Sequence, residues 1–217
     1  MSYDLQEQEK LESLKAWWRA NGNWVTGAAA AVLAVVLAYQ GWSWYGLRQA
    51  SAASALYEEF ERAAASKDPK DAVKARDAAG TLIDQHGSTV YAALAALREA
   101  RANLDASDPK AAKAQLTWVA EHARQKELAL LARVRLAGVL LDEKAYDQAL
   151  QLLSVDVPDG FAGEFADRRG DIYAAQGKVA QARAAYTEAL SKPGGQALRP
   201  LTQLKLDALP PAAAAGR

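Results

Sequence analysis

The 217-residue chain carries 26 basic and 26 acidic residues, a formal charge of +0, and no cysteine. The balanced charge leaves no electrostatic footprint for nucleic acid, and the missing thiols exclude a disulfide framework, a thiolate metal site and a cysteine nucleophile. Once a membrane segment is set aside, about one domain's worth of sequence remains, at ~100–200 residues per domain.

No charged residue lies between Arg19 and Arg48. A helix rising about 1.5 Å per residue makes the stretch from Trp24 to Tyr45 roughly 33 Å long, enough to cross the hydrocarbon core of a bilayer. Five of the six tryptophans flank it, with Trp17, Trp18 and Trp24 on one side and Trp42 and Trp44 on the other. Such amphipathic rings settle at headgroup depth. The expectation is a cytoplasmic tail at 1–22 and a transmembrane helix at 23–47. Lys10, Lys15 and Arg19 precede the span while only Arg48 and Arg62 follow it closely, which puts the amino terminus in the cytoplasm. A cleaved signal peptide competes, since Ala50-Ser51-Ala52 and Ala53-Ser54-Ala55 would pass as cleavage sites. The long polar leader and the aromatic belt on the far side favour a retained anchor. Gly27, Ala31, Ala34, Ala38 and Gly41 recur at spacings of four and three. They line a seam that another membrane helix could approach closely, although an alanine-rich segment produces the same pattern by composition alone.

Residues 48–207 read as an alanine-rich helical domain beyond the membrane. Its turn signals fall at Lys67-Asp68-Pro69, His86-Gly87-Ser88, Ser107-Asp108-Pro109, Asp142-Glu143-Lys144, Pro158-Asp159-Gly160, Gln176-Gly177-Lys178 and Pro193-Gly194-Gly195. Proline at the first helical position predicts helices near 70–85 and 109–123. Short polar turns between such helices make successive ones antiparallel neighbours. In the last pair, Gly170, Tyr173, Gly177, Ala182, Tyr186 and Ala189 stand at tetratricopeptide-repeat spacing. Gly170 and Ala182 are expected where the two helices cross, and Tyr173 and Tyr186 between hairpins. The preceding unit aligns with Ala137 at the small position, Tyr146 opening the second helix and Ala149 at the crossing; further back, Ala114 and Trp118 fit second-helix positions. Two well-matched repeats and two degenerate ones follow, stacked as a right-handed superhelix with a concave surface. Ala197 to Leu206 is expected to cap the last hairpin, and residues 208–217, with Pro210-Pro211 and four alanines, to be disordered.

The single anchor, STVYAALAALREARANLD at 88–105, LTWVAEHA at 116–123, LARVRLAGVLLDEKAYDQALQLL at 131–153 and GDIYAAQGKVAQARAAYTEAL at 170–190 together resemble the bacterial YfgM family, ancillary subunits of the Sec translocon. The resemblance spans nearly the whole chain. It implies an inner-membrane protein with its amino terminus in the cytoplasm and a periplasmic tetratricopeptide-like domain. The implied partners are the SecYEG translocon, a membrane-anchored periplasmic prolyl isomerase and newly exported polypeptides. It carries over no catalytic residue and no cofactor.

The residues themselves offer little chemistry. His86 and His122 lack metal-ligand spacing, and there is no Walker A, GxSxG or GxGxxG stretch. Acidic pairs such as Glu58 and Glu59, or Asp142 and Glu143, read as solvated faces. No catalytic, cofactor-binding or metal-binding residue is expected, and the chain reads as a non-enzyme. Arg133, Arg135, Arg168 and Arg169 are the notable charges. They either pair with Asp167, Asp171 or Glu164, or line a groove and hold a peptide backbone or carboxylate. The functional expectation is a membrane-tethered, protein-binding adaptor at the translocon. The alternative is an envelope scaffold, serving division or wall synthesis, that uses the same domain for protein contacts.

Overall fold

A computed structural model describes residues 2–66 and 68–211, with side chains from residue 8 onward. The described residues form helices α1 (Ser2–Ala65), α2 (Pro69–His86), α3 (Val90–Asp105), α4 (Pro109–His122), α5 (Lys126–Asp142), α6 (Tyr146–Leu152), α7 (Asp159–Ala175), α8 (Val179–Ser191) and α9 (Arg199–Asp207). A 3-10 turn at Gln196–Leu198 leads into α9. By internal contacts the chain divides into one unit ending at Ser51 and a second beginning at Ala52.

The first unit is α-helix throughout its described residues. One uninterrupted helix therefore runs through both the polar leader and the apolar stretch. Its apolar side chains from Val32 to Leu47 have nothing to bury against, and Trp24 and Trp42 are 80% and 79% exposed. That much contiguous apolar surface on a helix long enough to cross a bilayer is what a membrane span requires. All five seam positions, Gly27 to Gly41, are exposed.

The second unit carries three hairpins, α3 with α4, α5 with α6, and α7 with α8, with α2 packed on α3 and the end of α1 joining α2 and α3 in one apolar cluster. The two proline-led starts lie where predicted, Asp68 accepting from Lys70 N–H at 2.9 Å and Asp108 from Ala111 N–H at 2.9 Å. Each side chain satisfies one of the amides that a helix start leaves open. α3, α5 and α7 are the first helices of successive hairpins, and they also pack on one another. That neighbour-on-neighbour contact is the signature of a solenoid.

The backbone states the repeat more clearly than the side chains do. Ser107, Lys144 and Gly177 all have left-handed φ, at 60°, 61° and 72°. After each of them a backbone N–H reaches back to the end of the preceding helix: Asp108 to Asn103 O at 2.7 Å, Ala145 to Leu140 O at 2.8 Å and Lys178 to Tyr173 O at 2.9 Å. The three hairpins thus share one Schellman-type turn. Only the last uses glycine, so the first two are hidden from a glycine search. These turns stand 37 and 33 residues apart, against ~34 for an ordinary tetratricopeptide repeat. The longer first interval explains why the pattern fades toward the amino terminus. It also corrects the alignment in α4: Ala112 and Leu116 are buried at the crossing while Ala114 is exposed, because three residues into the second helix falls at 112 when α4 starts at Pro109.

Two clusters make up the core. One joins α1, α2 and α3 around Phe60 and Leu82, the other runs from α3 to α7 around Leu116, Leu136 and Phe165, and Trp118 packs on both. At the far end α9 covers α7 and α8, as a capping helix should. Tyr186 lies inside the last hairpin, not between hairpins, because its ring occupies the space left open by Gly170. Of the expected tail, residues 208–211 are described, with Arg183 donating to Pro210 O at 2.7 Å; residues 212–217 lie outside the described residues.

Candidate functional site: a groove across the first helices

A groove of about 560 Å³ crosses the surface made by the first helices of the hairpins. α3 supplies Leu97, Ala100, Arg101 and Leu104, α4 Leu116, α5 Arg135, Gly138, Val139 and Asp142, and α7 Arg168. Its floor is apolar and Leu104 remains 39% exposed. Its rim carries three arginines and one aspartate.

Arg168 is the most constrained of these. Its guanidinium lies against Gly138, where a Cβ would sit 3.5 Å from Cζ, and Nη1 donates to Asp171 Oδ2 at 3.2 Å. Its Nε is buried without a hydrogen-bond partner among the described residues. Arg101 is paired with Asp105 one turn on, and Arg135 has no ion-pair or hydrogen-bond partner among the described residues. A planar fork with donors to spare, beside an apolar floor, suits the carbonyls and carboxylates of a polypeptide.

The structure divides the four arginines singled out from the sequence. Arg135 and Arg168 share the groove. Arg133 projects from the other side of α5, into a depression of about 620 Å³ with Lys113, Gln148 and Gln151. Arg169 donates to both carboxylate oxygens of Glu188 at 3.0 Å, a bidentate tie within the last hairpin. Of the three expected acidic partners, Asp171 does pair with Arg168, whereas Asp167 is taken by Lys205 Nζ at 2.7 Å and Thr202 Oγ1 at 2.7 Å. Lys205 also meets Asp171 at 2.8 Å, and the Tyr186 hydroxyl donates to Asp171 at 2.9 Å. Burial, and then the neighbouring Asp171 and Asp167 carboxylates, push that hydroxyl far above its ordinary range. This network fastens α9 to the last hairpin and holds Asp171 beneath Arg168.

Arg101, Asp142 and Gly138 belong to the groove but were not legible beforehand. Arg101 to Leu104 recur at i, i+3 and i+4 with Leu97 and Ala100, which was the available signal. Neither histidine lies in the groove: His122 stacks on Trp118 with ring centroids 5.5 Å apart, and His86 sits at the turn after α2, where its backbone carbonyl accepts from the Thr89 hydroxyl. Among the described residues no group of three or more His, Cys, Asp or Glu side chains could hold a metal ion.

Residues 15–211 match the family model described as a tetratricopeptide repeat-like domain. A Neisseria gonorrhoeae protein named ancillary SecYEG translocon subunit is 33% identical over 96% of this chain and all of its own length. Proteins of the same name from Haemophilus influenzae and Escherichia coli are 25% and 26% identical, over 96% and 94% of this chain and 100% and 96% of theirs. No solved structure matches. The chain belongs to the tetratricopeptide repeat-like family that includes the proteins named ancillary SecYEG translocon subunit.

Proposed function

We propose that this protein is a single-pass inner-membrane subunit that works beside the SecYEG translocon, with residues 1–22 in the cytoplasm, the span at 23–47 and the repeat domain in the periplasm. The repeat domain binds exported polypeptides through the α3–α5–α7 groove, in company with a membrane-anchored periplasmic prolyl isomerase. The observation that carries this reading is the placement of Arg168 and Arg135 at the rim of one groove with an apolar floor, the Arg168 guanidinium held against Gly138. The relatives' names support the location, and the exposed seam from Gly27 to Gly41 offers a face for a translocon or isomerase helix.

Photocrosslinkers at Leu104 and Arg135 test the groove in cells, and others at Ala34 and Ala38 test the seam. The expected products are exported chains from the first pair and membrane partners from the second. Replacing Arg135 and Arg168 with alanine should weaken capture of exported chains at least about tenfold, the loss of one or two charge-assisted hydrogen bonds. Capture that survives this double change, or an anchor exchangeable for any other span without losing partners, would instead favour a general envelope scaffold.

A further inference from the structure

On the opposite side of α3 from the groove lies a second, smaller crevice that the groove's chemistry does not involve. It holds about 210 Å³ between the end of α1, the start of α2 and the second half of α3, the liquid volume of about seven waters. Six alanines form most of its wall, and Glu99 and Asn103 line it one helical turn apart. Those two residues are only 7% and 8% exposed. No hydrogen bond to either side chain is found among the described residues. Their polar atoms are not sealed from solvent, so water or a ligand in the crevice is what satisfies them.

Charge narrows what would satisfy them. Arg76 and Arg98 also line the crevice, and Arg98 is tied to Glu61 at 3.0 Å. Two guanidinium groups oppose a cation, and Glu99 opposes an anion. A neutral group that both donates and accepts remains. Burial raises the Glu99 carboxyl above its ordinary range, with Arg76 pulling the other way. Spacing narrows it further: four residues of helix rise about 6 Å, close to the ~6.8 Å between like-facing amides two residues apart in an extended chain. The alanine wall leaves room only for small side chains.

We propose that this crevice holds the main chain of a short, extended stretch of small residues, Glu99 accepting a peptide N–H and the Asn103 carboxamide donating to a peptide carbonyl. This rests on the reading that the domain binds polypeptide, and it adds a site that reads backbone and side-chain size, not charge.

The full chain in detergent micelles, titrated with the blocked neutral peptide acetyl-Gly-Ala-Ala-Gly-N-methylamide, tests it by saturation-transfer NMR on the alanine methyls. Saturable binding is expected, at least about tenfold weaker in Glu99→Leu and in Asn103→Leu, the loss of one buried hydrogen bond. Glu99→Gln, which keeps an acceptor, should stay within a few fold of wild type, and the Arg135→Ala/Arg168→Ala pair should leave this binding unchanged. The leucine counterpart, acetyl-Gly-Leu-Leu-Gly-N-methylamide, should bind poorly. Absence of saturable binding to wild type, meaning that water alone fills the crevice, overturns the proposal. So does wild-type binding by both apolar variants, or equal competition by acetate or methylammonium. Thermal unfolding of each variant checks that it is folded. Absence of groove crosslinks in the wild-type protein while peptide binding persists would strike the groove reading and spare the crevice; groove crosslinks without peptide binding would strike the crevice alone.

Discussion

Gly170→Ala is the substitution on which the packing of the last hairpin turns. Gly170 lies within α7, where alanine ordinarily improves a helix by up to ~1 kcal/mol. Here a Cβ would sit 3.0 Å from Tyr186 Cγ and closer still to Cδ1 and Cε1. The ring is 3% exposed and pinned by its hydroxyl to Asp171, so it cannot swing clear. Overpacking of this kind costs about 1–3 kcal/mol, and dragging the hydroxyl off the carboxylate costs about 1.5–3 kcal/mol more. After the helix gain, a net loss of about 1.5–5 kcal/mol remains, and at ~2–4 °C per kcal/mol for a domain of this size the midpoint should fall by roughly 3–20 °C. Thermal unfolding of the full chain in detergent, followed by circular dichroism, measures it. Gly138→Ala is the internal control, since its Cβ would meet Arg168 only at an ordinary 3.5 Å and the helix gain of up to ~1 kcal/mol should survive. A Gly170→Ala midpoint at or above wild type, or equal losses in the two variants, would refute this reasoning.

Lys205→Met should leave Asp167 buried with Thr202 as its remaining partner. Because Lys205 is about a quarter exposed, the cost should be ~1–3 kcal/mol, below that of breaking a fully buried pair. Hydrogen exchange should quicken across Arg199–Asp207 and not in α3 or α5. Tyr186 has its hydroxyl raised by burial and by Asp171, so its contribution is complete below the unfolded value of ~10 and is lost as pH rises above it, by at most ~1.4 kcal/mol per pH unit. Denaturant titrations between pH 9 and 11 should therefore show a shallower alkaline decline in Tyr186→Phe than in wild type; parallel slopes would count against it. Glu99 is also raised, which means that the folded state is penalised above the unfolded value of ~4.3 and unpenalised below it. Glu99→Gln should accordingly be the more stable protein at pH 7, with its advantage closing as pH falls toward 4.

The sequence alone was enough for whatever depends on short-range pattern. A long uncharged run with tryptophan ends is the pattern of a bilayer span, and Asp-Pro places proline at a first helical position, so the candidate span, α2 and α4 were readable without coordinates. So was the last hairpin, whose small and aromatic residues keep repeat spacing. What the tertiary structure decided depends on groups far apart in sequence. Ser107 and Lys144 take the left-handed turn that Gly177 advertises, because the hairpin hydrogen bonds reward that geometry even in residues with a Cβ. Arg135 and Arg168 meet across α5 and α7 while Arg133, two residues away, faces elsewhere, since a helix turns about 100° per residue. Asp167 chooses Lys205, 38 residues on, over the adjacent Arg168, because a buried carboxylate is stabilised most by the cation that packing holds against it.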